Sequence, residues 1–172
     1  MKKNLLMYND KDNAIYFYGL KNKFGYMSNF YKTEFIDNDN IHYNCSEQYF
    51  MYQKCKTFEP ENKTLLSEIL TTKSATKIKS LGRKVKNYDD KIWANLRYNI
   101  MVDALYLKFC QNDIIRKELL ETKDKYLYEA SKNDKIWGIG FYSNDAIDID
   151  KKRFGLNLLG KALMQVREKL QK

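Results

Sequence analysis

The chain has 172 residues, 44% of them hydrophobic, 15% aromatic and 31% charged, and 31 Lys and Arg outweigh 22 Asp and Glu for a net charge of +9. That length and balance predict one globular domain with a real core and exclude a low-complexity or disordered chain. No apolar run approaches a membrane span, and Leu5-Leu6-Met7 is too short for a signal-peptide core, so a cytoplasmic protein with no membrane partner is expected.

Along the chain, Ala14–Tyr18 is β-favouring and ends at Gly19, and a loop runs from Gly19 to Asn29. Tyr31–Ile36 and Ile41–Tyr43 flank Asp37-Asn38-Asp39-Asn40, which predicts a hairpin. Asn44 with Glu47 fits a capping box, so a helix is expected to start as the hairpin ends. Pro60 suits the first turn of a helix over Glu61–Leu70. Ser74 is placed to cap Ala75–Leu81, which Gly82 should stop. The longest helical pattern covers Tyr88–Cys110, with Trp93, Leu96, Ile100, Ala104 and Leu107 as its predicted seam. A short helix over Asp113–Glu121, a strand at Tyr126–Ala130 and a Gly-rich stretch over Ile136–Phe141 follow. Leu156, Leu159, Leu163, Val166 and Leu170 form the core stripe of a last helix. The expected class is α+β, a mainly helical single domain over residues 1–172 around a small β-sheet.

The most informative stretch is Ser46-Glu47-Gln48-Tyr49-Phe50-Met51-Tyr52-Gln53-Lys54. As a helix it puts Glu47, Phe50, Met51 and Lys54 on one stripe, apolar in the middle and charged at both ends. Seven residues of helix rise roughly 10.5 Å, enough for a small molecule between carboxylate and ammonium. Glu47 sits in the first turn, where the dipole favours its ionised form.

Cys45, Cys55 and Cys110 are odd in number and lack CxxC spacing, which fits a reduced compartment. His42 is the only histidine and lies on a predicted hairpin strand, which argues against a Ser-His or Cys-His hydrolase and against a zinc site. The basic excess is diffuse Lys without an aromatic cluster, so charge alone does not mark a nucleic-acid-binding protein. Ile139 separates Gly138 from Gly140, but the third Gly and strand-to-helix setting of a dinucleotide fingerprint are missing.

The ordered series Gly25-Tyr26-Met27-Ser28-Asn29-Phe30, the Glu47 helix, Leu81-Gly82-Arg83, Trp93 with Arg97, Lys108-Phe109, Leu119-Leu120-Glu121-Thr122, Glu129, Asp134-Lys135-Ile136-Trp137-Gly138, Gly155 to Gly160 and Arg167-Glu168 resembles the YbiA-like family, also called NADAR. The resemblance covers about Phe17 to Leu170. It departs at Gln48, where the family commonly has His; Gln cannot transfer a proton in its place, so orientation or packing is assigned to it.

The resemblance implies an enzyme that cleaves an N-glycosidic bond without cofactor or metal. Its catalytic residues would be Glu47, Lys54 and Asp134, and its substrate-binding residues Ser28, Asn29, Phe30, Gln48, Arg83, Trp137 and Gly138. Oxocarbenium charge on ribose needs a nearby carboxylate, which suits Glu47. Lys54 would hold pyrophosphate or, with a lowered pKa, attack C1. Arg83 suits phosphate, Asn29 a ribose hydroxyl or base edge, and Trp137 a stacked base. Asp134 would bind a ribose hydroxyl or act as a second carboxylate; with Trp137 it also fits an ordinary turn and core tryptophan. Arg97 is expected to stack on Trp93 structurally. Two substrate classes follow: ADP-ribose attached to guanine of nucleic acid, and ribosylated intermediates of riboflavin synthesis. The +9 charge and the absence of a fused biosynthetic domain tilt toward the first. A non-catalytic ADP-ribose or NAD-derived nucleotide-binding module is the rival.

Overall fold

The computed structural model describes residues 8–9 and 13–172, so Leu5-Leu6-Met7 lies outside the described residues. Among the described residues five short strands occur in the order β1 (Tyr8–Asn9), β2 (Ala14–Phe17), β3 (Phe35–Ile36), β4 (His42–Tyr43) and β5 (Tyr126–Glu129). The helices are α1 (Ser46–Phe58), α2 (Lys63–Thr71), α3 (Ala75–Gly82), α4 (Asp90–Cys110), α5 (Asp113–Leu120), α6 (Ser143–Ala146) and α7 (Leu158–Leu170). Helices dominate, and the class is α+β as expected. The chain forms two compact units, one of Asn29–Arg116 and the other of the segments ending at Ser28 and starting at Lys117. Among the described residues no helix is long and apolar enough to cross a membrane.

In the Asn29–Arg116 unit, β3 and β4 pair antiparallel with Phe35 opposite Tyr43. Asp37 makes the turn: its Oδ1 accepts the N–H groups of Asp39 and Ile41, both at 2.9 Å, and Asn40 takes a left-handed φ of 60°. The chain leaves this hairpin directly into α1, which packs against α2, α3 and α4.

Four expectations need correction here. The capping box does not form, because Cys45 is the N-cap and has no side-chain cap bond. Instead Gln48, one residue beyond Glu47, reaches back to accept the Asn44 N–H at 2.7 Å, and the Glu47 N–H is taken by the Asn29 carbonyl at 3.0 Å. Pro60 precedes α2 instead of opening it, since Asn62 is the cap and accepts from Leu65 N–H at 3.1 Å. Ser74 caps α3 as expected, but Gly82 belongs to the helix. A Cβ there would run into Met51 of α1, so close helix approach explains this glycine, not a stop signal. The α4 seam is also rotated. Leu96 is 39% exposed, while Trp93, Met101, Ala104, Leu105, Lys108 and Phe109 are buried.

In the other unit the sheet order is β1-β2-β5, with β2 central and fully buried, antiparallel to β1 and parallel to β5. α7 packs on β5. Gly160 is required there because a Cβ would meet the Leu127 carbonyl oxygen. Leu159, Leu163, Val166 and Leu170 form the buried stripe, but Leu156 is 50% exposed and precedes the helix. The break is Asn157, whose φ of 51° lets its side chain bind β5: Oδ1 accepts Glu129 N–H at 3.0 Å and Nδ2 donates to Leu127 O at 2.9 Å. Arg167 then donates to Thr122 Oγ1 at 2.7 Å and Lys125 O at 2.9 Å. Much of the Gly155–Gly160 and Thr122/Arg167 pattern is therefore architectural.

Candidate active site

The N-terminal half of α1 holds the candidate chemistry. Glu47 is only 5% exposed although it lies in the first turn, and Phe50 and Met51 on its stripe are buried too. The next member, Lys54, is half-buried. Its Nζ donates to the Gly82 carbonyl at 3.0 Å and stands 4.3 Å from the Tyr88 ring centre. Burial pulls the Lys54 pKa below its ordinary value, and the Glu47 carboxylate opposes that shift. The two ends of the stripe therefore feel each other electrically.

Asn29 is tied to the same point through its carbonyl on the Glu47 N–H. Its Oδ1, and the Oγ of the fully buried Ser46, are buried and without hydrogen-bond partners among the described residues. Two residues joined to Glu47, one by sequence and one by a backbone hydrogen bond, thus keep unmet polar atoms. Phe30 follows Asn29 and takes Lys79 Nζ at 5.7 Å from its ring centre.

Gln48 is engaged by the protein's own backbone. Besides accepting from Asn44, its Nε2 lies 2.9 Å from the carbonyl oxygens of Ile69 and Leu70 and 3.1 Å from that of Thr72. One amide thus closes the last turn of α2 onto the first turn of α1, with both ends committed inside the protein. Arg83 is exposed, caps α3 and follows the Gly82 carbonyl that holds Lys54.

Ser28, Asp134, Trp137 and Gly138 belong to the other unit. Ser28 ends a 3-10 turn, its N–H bound to Gly25 O at 3.0 Å. Asp134 Oδ1 accepts the N–H groups of Ile136 at 2.9 Å and Trp137 at 2.8 Å, so this pair builds a turn. Gly138 is buried, and a Cβ on it would meet the carbonyl oxygens of Glu129 and Asp134 at 2.8 and 2.9 Å. The close backbone approach that its sequence promised is made by the chain itself.

Two residues escaped their sequence reading. Lys108 has no exposed surface, with Nζ 5.6 Å from the Tyr31 ring centre and 5.2 Å from that of Phe109. Arg97 is half-buried, and its Nε is buried without a hydrogen-bond partner among the described residues. A cation inside a helical pattern ordinarily signals a solvated face, so only its neighbours in space distinguish it. Among the described residues, no group of three or more His, Cys, Asp or Glu could hold a metal ion.

A buried carboxylate and a half-buried amine on one helix of an α+β protein define a candidate polar catalytic centre. The profile of the NADAR domain family matches residues 16–171, and the chain belongs to that family. An N-glycosidase of Acanthamoeba polyphaga mimivirus is 36% identical over 94% of this chain and 99% of its own length. The N-glycosidase YbiA of Escherichia coli is 32% identical over 93% of this chain and 90% of its own. A riboflavin biosynthesis protein of Vibrio vulnificus is 31% identical over 95% of this chain, which spans 40% of that protein. The NMR structure of Escherichia coli YbiA superposes with a TM-score of 0.74, at 31% identity, covering 96% of this chain and 89% of that one.

Proposed function

We propose that this protein hydrolyses an N-glycosidic bond between ribose C1 and a base nitrogen, with Glu47 as the carboxylate at C1. The observation that carries the reading is Glu47 itself, which lies in the first turn of α1 with 5% exposure, on one stripe with a half-buried lysine. A buried acid on one helix stripe with a lysine whose pKa is lowered by burial is the kind of perturbed pair that marks functional sites. As the C1–N bond breaks, the base leaves with the bonding electrons and positive charge grows on the ribose. Glu47 stabilises that charge and takes a proton from the incoming water. Asn29 Oδ1 and Ser46 Oγ are suited to ribose hydroxyls.

Lys54 supplies the alternative first step. Its lowered pKa increases the share of free amine. Nζ bonds to C1 as the base departs, a ring-opened imine forms on the lysine, and water releases the sugar and regenerates the amine. Arg83 lies next to this position for an outer phosphate.

The substrate we favour is ADP-ribose on guanine of nucleic acid, because a +9 chain would meet the additional phosphates of a polymer. The second reading, a ribosylated riboflavin-pathway intermediate, has the Vibrio vulnificus relative in its favour. A salt titration of kcat/KM, followed by mass spectrometry, separates them. Each neutralised phosphate adds roughly 0.7–0.9 to the slope of log affinity against log salt. ADP-ribosylated guanine in an oligonucleotide should be cleaved fastest and lose rate steeply with salt, while the same modification on free guanosine responds much less. Flat salt dependence with fastest cleavage of the riboflavin intermediate reverses the ranking. No cleavage of either class overturns the glycosidase reading.

A further inference from the structure

The expected partner of Arg97 is Trp93, but the packing gives Trp93 another task. Its ring lies 5.0 Å from Phe50 and 6.1 Å from Phe58 of α1. Phe50 and Phe58 are the residues one turn before and one turn after Lys54, so Trp93 covers the turn that carries the lysine. Phe58 also meets Tyr88 at 5.4 Å, which makes α1 and α4 run in opposite directions through this contact. Arg97 stands one turn beyond Trp93. Helical side chains lean toward the N-terminus, so its guanidinium is directed back along Trp93 toward Tyr88. In agreement, its charge acts on the Tyr88 hydroxyl.

Lys54 Nζ thus lies 4.3 Å from the centre of a ring that is 42% exposed, and the Arg97 charge acts on the hydroxyl of the same residue. Neither cation has a carboxylate at ion-pair distance among the described residues. The acids nearest in the chain are already engaged. Asp89 caps α4 by accepting from Lys91 and Ile92, Asp90 accepts the Tyr88 hydroxyl at 2.7 Å, and Glu59 accepts Lys86 N–H at 2.6 Å. The Arg97 Nε is buried and has no hydrogen-bond partner among the described residues. Two cations outside any ion pair beside an exposed tyrosine match an oxyanion with several acceptors.

We propose that Arg97, with Lys54 beside it and Tyr88 beneath, forms a phosphate subsite that holds a phosphate oxygen of the substrate next to the ribose. The proposal deepens the reading of the Lys54 site given above and rests on it. Arg97 is then a substrate-binding residue, with Arg83 at the outer edge.

Calorimetric binding to the full chain tests this without turnover, with ribose, ribose 5-phosphate and ADP-ribose as probes. The wild type should bind both phosphate-bearing probes at least tenfold more tightly than ribose. Arg97→Gln should weaken both by about 10–100-fold and leave ribose unchanged, as expected for loss of a charge-assisted contact. Equal losses for the two support a single phosphate as the ligand, and a loss confined to ADP-ribose supports its diphosphate. If the Gln variant does not fold by thermal melting, Arg97→Lys decides. It keeps the charge without Nε and should lose about 3–10-fold. Wild-type affinity for both phosphate probes in the folded variant, or no preference for phosphate in the wild type, overturns the subsite. Phosphate discrimination that depends on Arg97 in a protein with no glycosidase turnover keeps the subsite and removes only the catalytic reading.

Discussion

Replacing Lys108 with Met gives a prediction whose size follows from burial. The lysine has no exposed surface, and Met retains most of its volume without a charge. Loss of hydration pulls its pKa from 10.5 to about 7, an effect that the Cys45 thiol opposes. Between those values the unfolded chain holds a proton that the folded chain has released. Stability is therefore full above the unfolded pKa and declines as pH falls toward the folded one. Integrating the difference in bound protons makes the wild type about 2 kcal/mol more stable at pH 9 than at pH 7 from this group alone. Burial also raises the Cys45 pKa to about 11 and the Tyr49 pKa to about 12, but these groups titrate in both proteins and largely cancel. Urea unfolding of wild type and Lys108→Met at both pH values supplies the four free energies required. The wild type should gain about 2 kcal/mol more than the variant between pH 7 and pH 9. A difference below about 0.5 kcal/mol would refute the argument that Lys108 enters the core at the cost of its proton.

Gln48→Leu strips partners from Asn44 N–H and from the carbonyls that close α2, and should destabilise by roughly 3 kcal/mol or more in urea unfolding; a cost under about 1 kcal/mol would mean those groups find other partners. Gly160→Ala forces a methyl against the Leu127 carbonyl, so its melting temperature should fall by about 4 °C or more, corresponding to at least 1–2 kcal/mol. Lys54→Arg keeps positive charge but loses the nucleophilic amine. Borohydride added during turnover should trap a ribose-bearing adduct on the wild type and none on the variant, whereas an active variant with no adduct on either protein leaves Lys54 an electrostatic role.

The sequence resolves elements where apolar spacing and local turn chemistry agree. β2, the Asp37–Asn40 hairpin and the α7 stripe from Leu159 are such cases, because each is specified by neighbours within a few positions. Glu47 and Lys54 were visible because charge interrupts an otherwise apolar stripe. The α4 seam was misplaced because its buried face includes Lys108 and half-buried Arg97, which periodicity assigns to solvent. Gly82 was taken for a helix stop because the methionine that needs its space lies on another helix. Gln48 showed through departure from the family pattern, but its four partners come from Asn44 and the end of α2. Asp134 and Gly138 illustrate the opposite case, since a motif suggestive of ligand contact also carries turn and packing duties that only coordinates reveal.

The central claim is that the Glu47 carboxylate acts in C1–N cleavage. Single-turnover release of the base from ADP-ribosylated guanine in an oligonucleotide, compared between wild type and Glu47→Gln, tests it most directly. The amide keeps size and a hydrogen-bonding oxygen, so melting temperature should change little. Release should slow by about 10²–10⁴-fold, as for loss of a positioned acid–base group. A folded Glu47→Gln protein that releases the base within a factor of about three of wild type contradicts the account and makes Glu47 a structural residue.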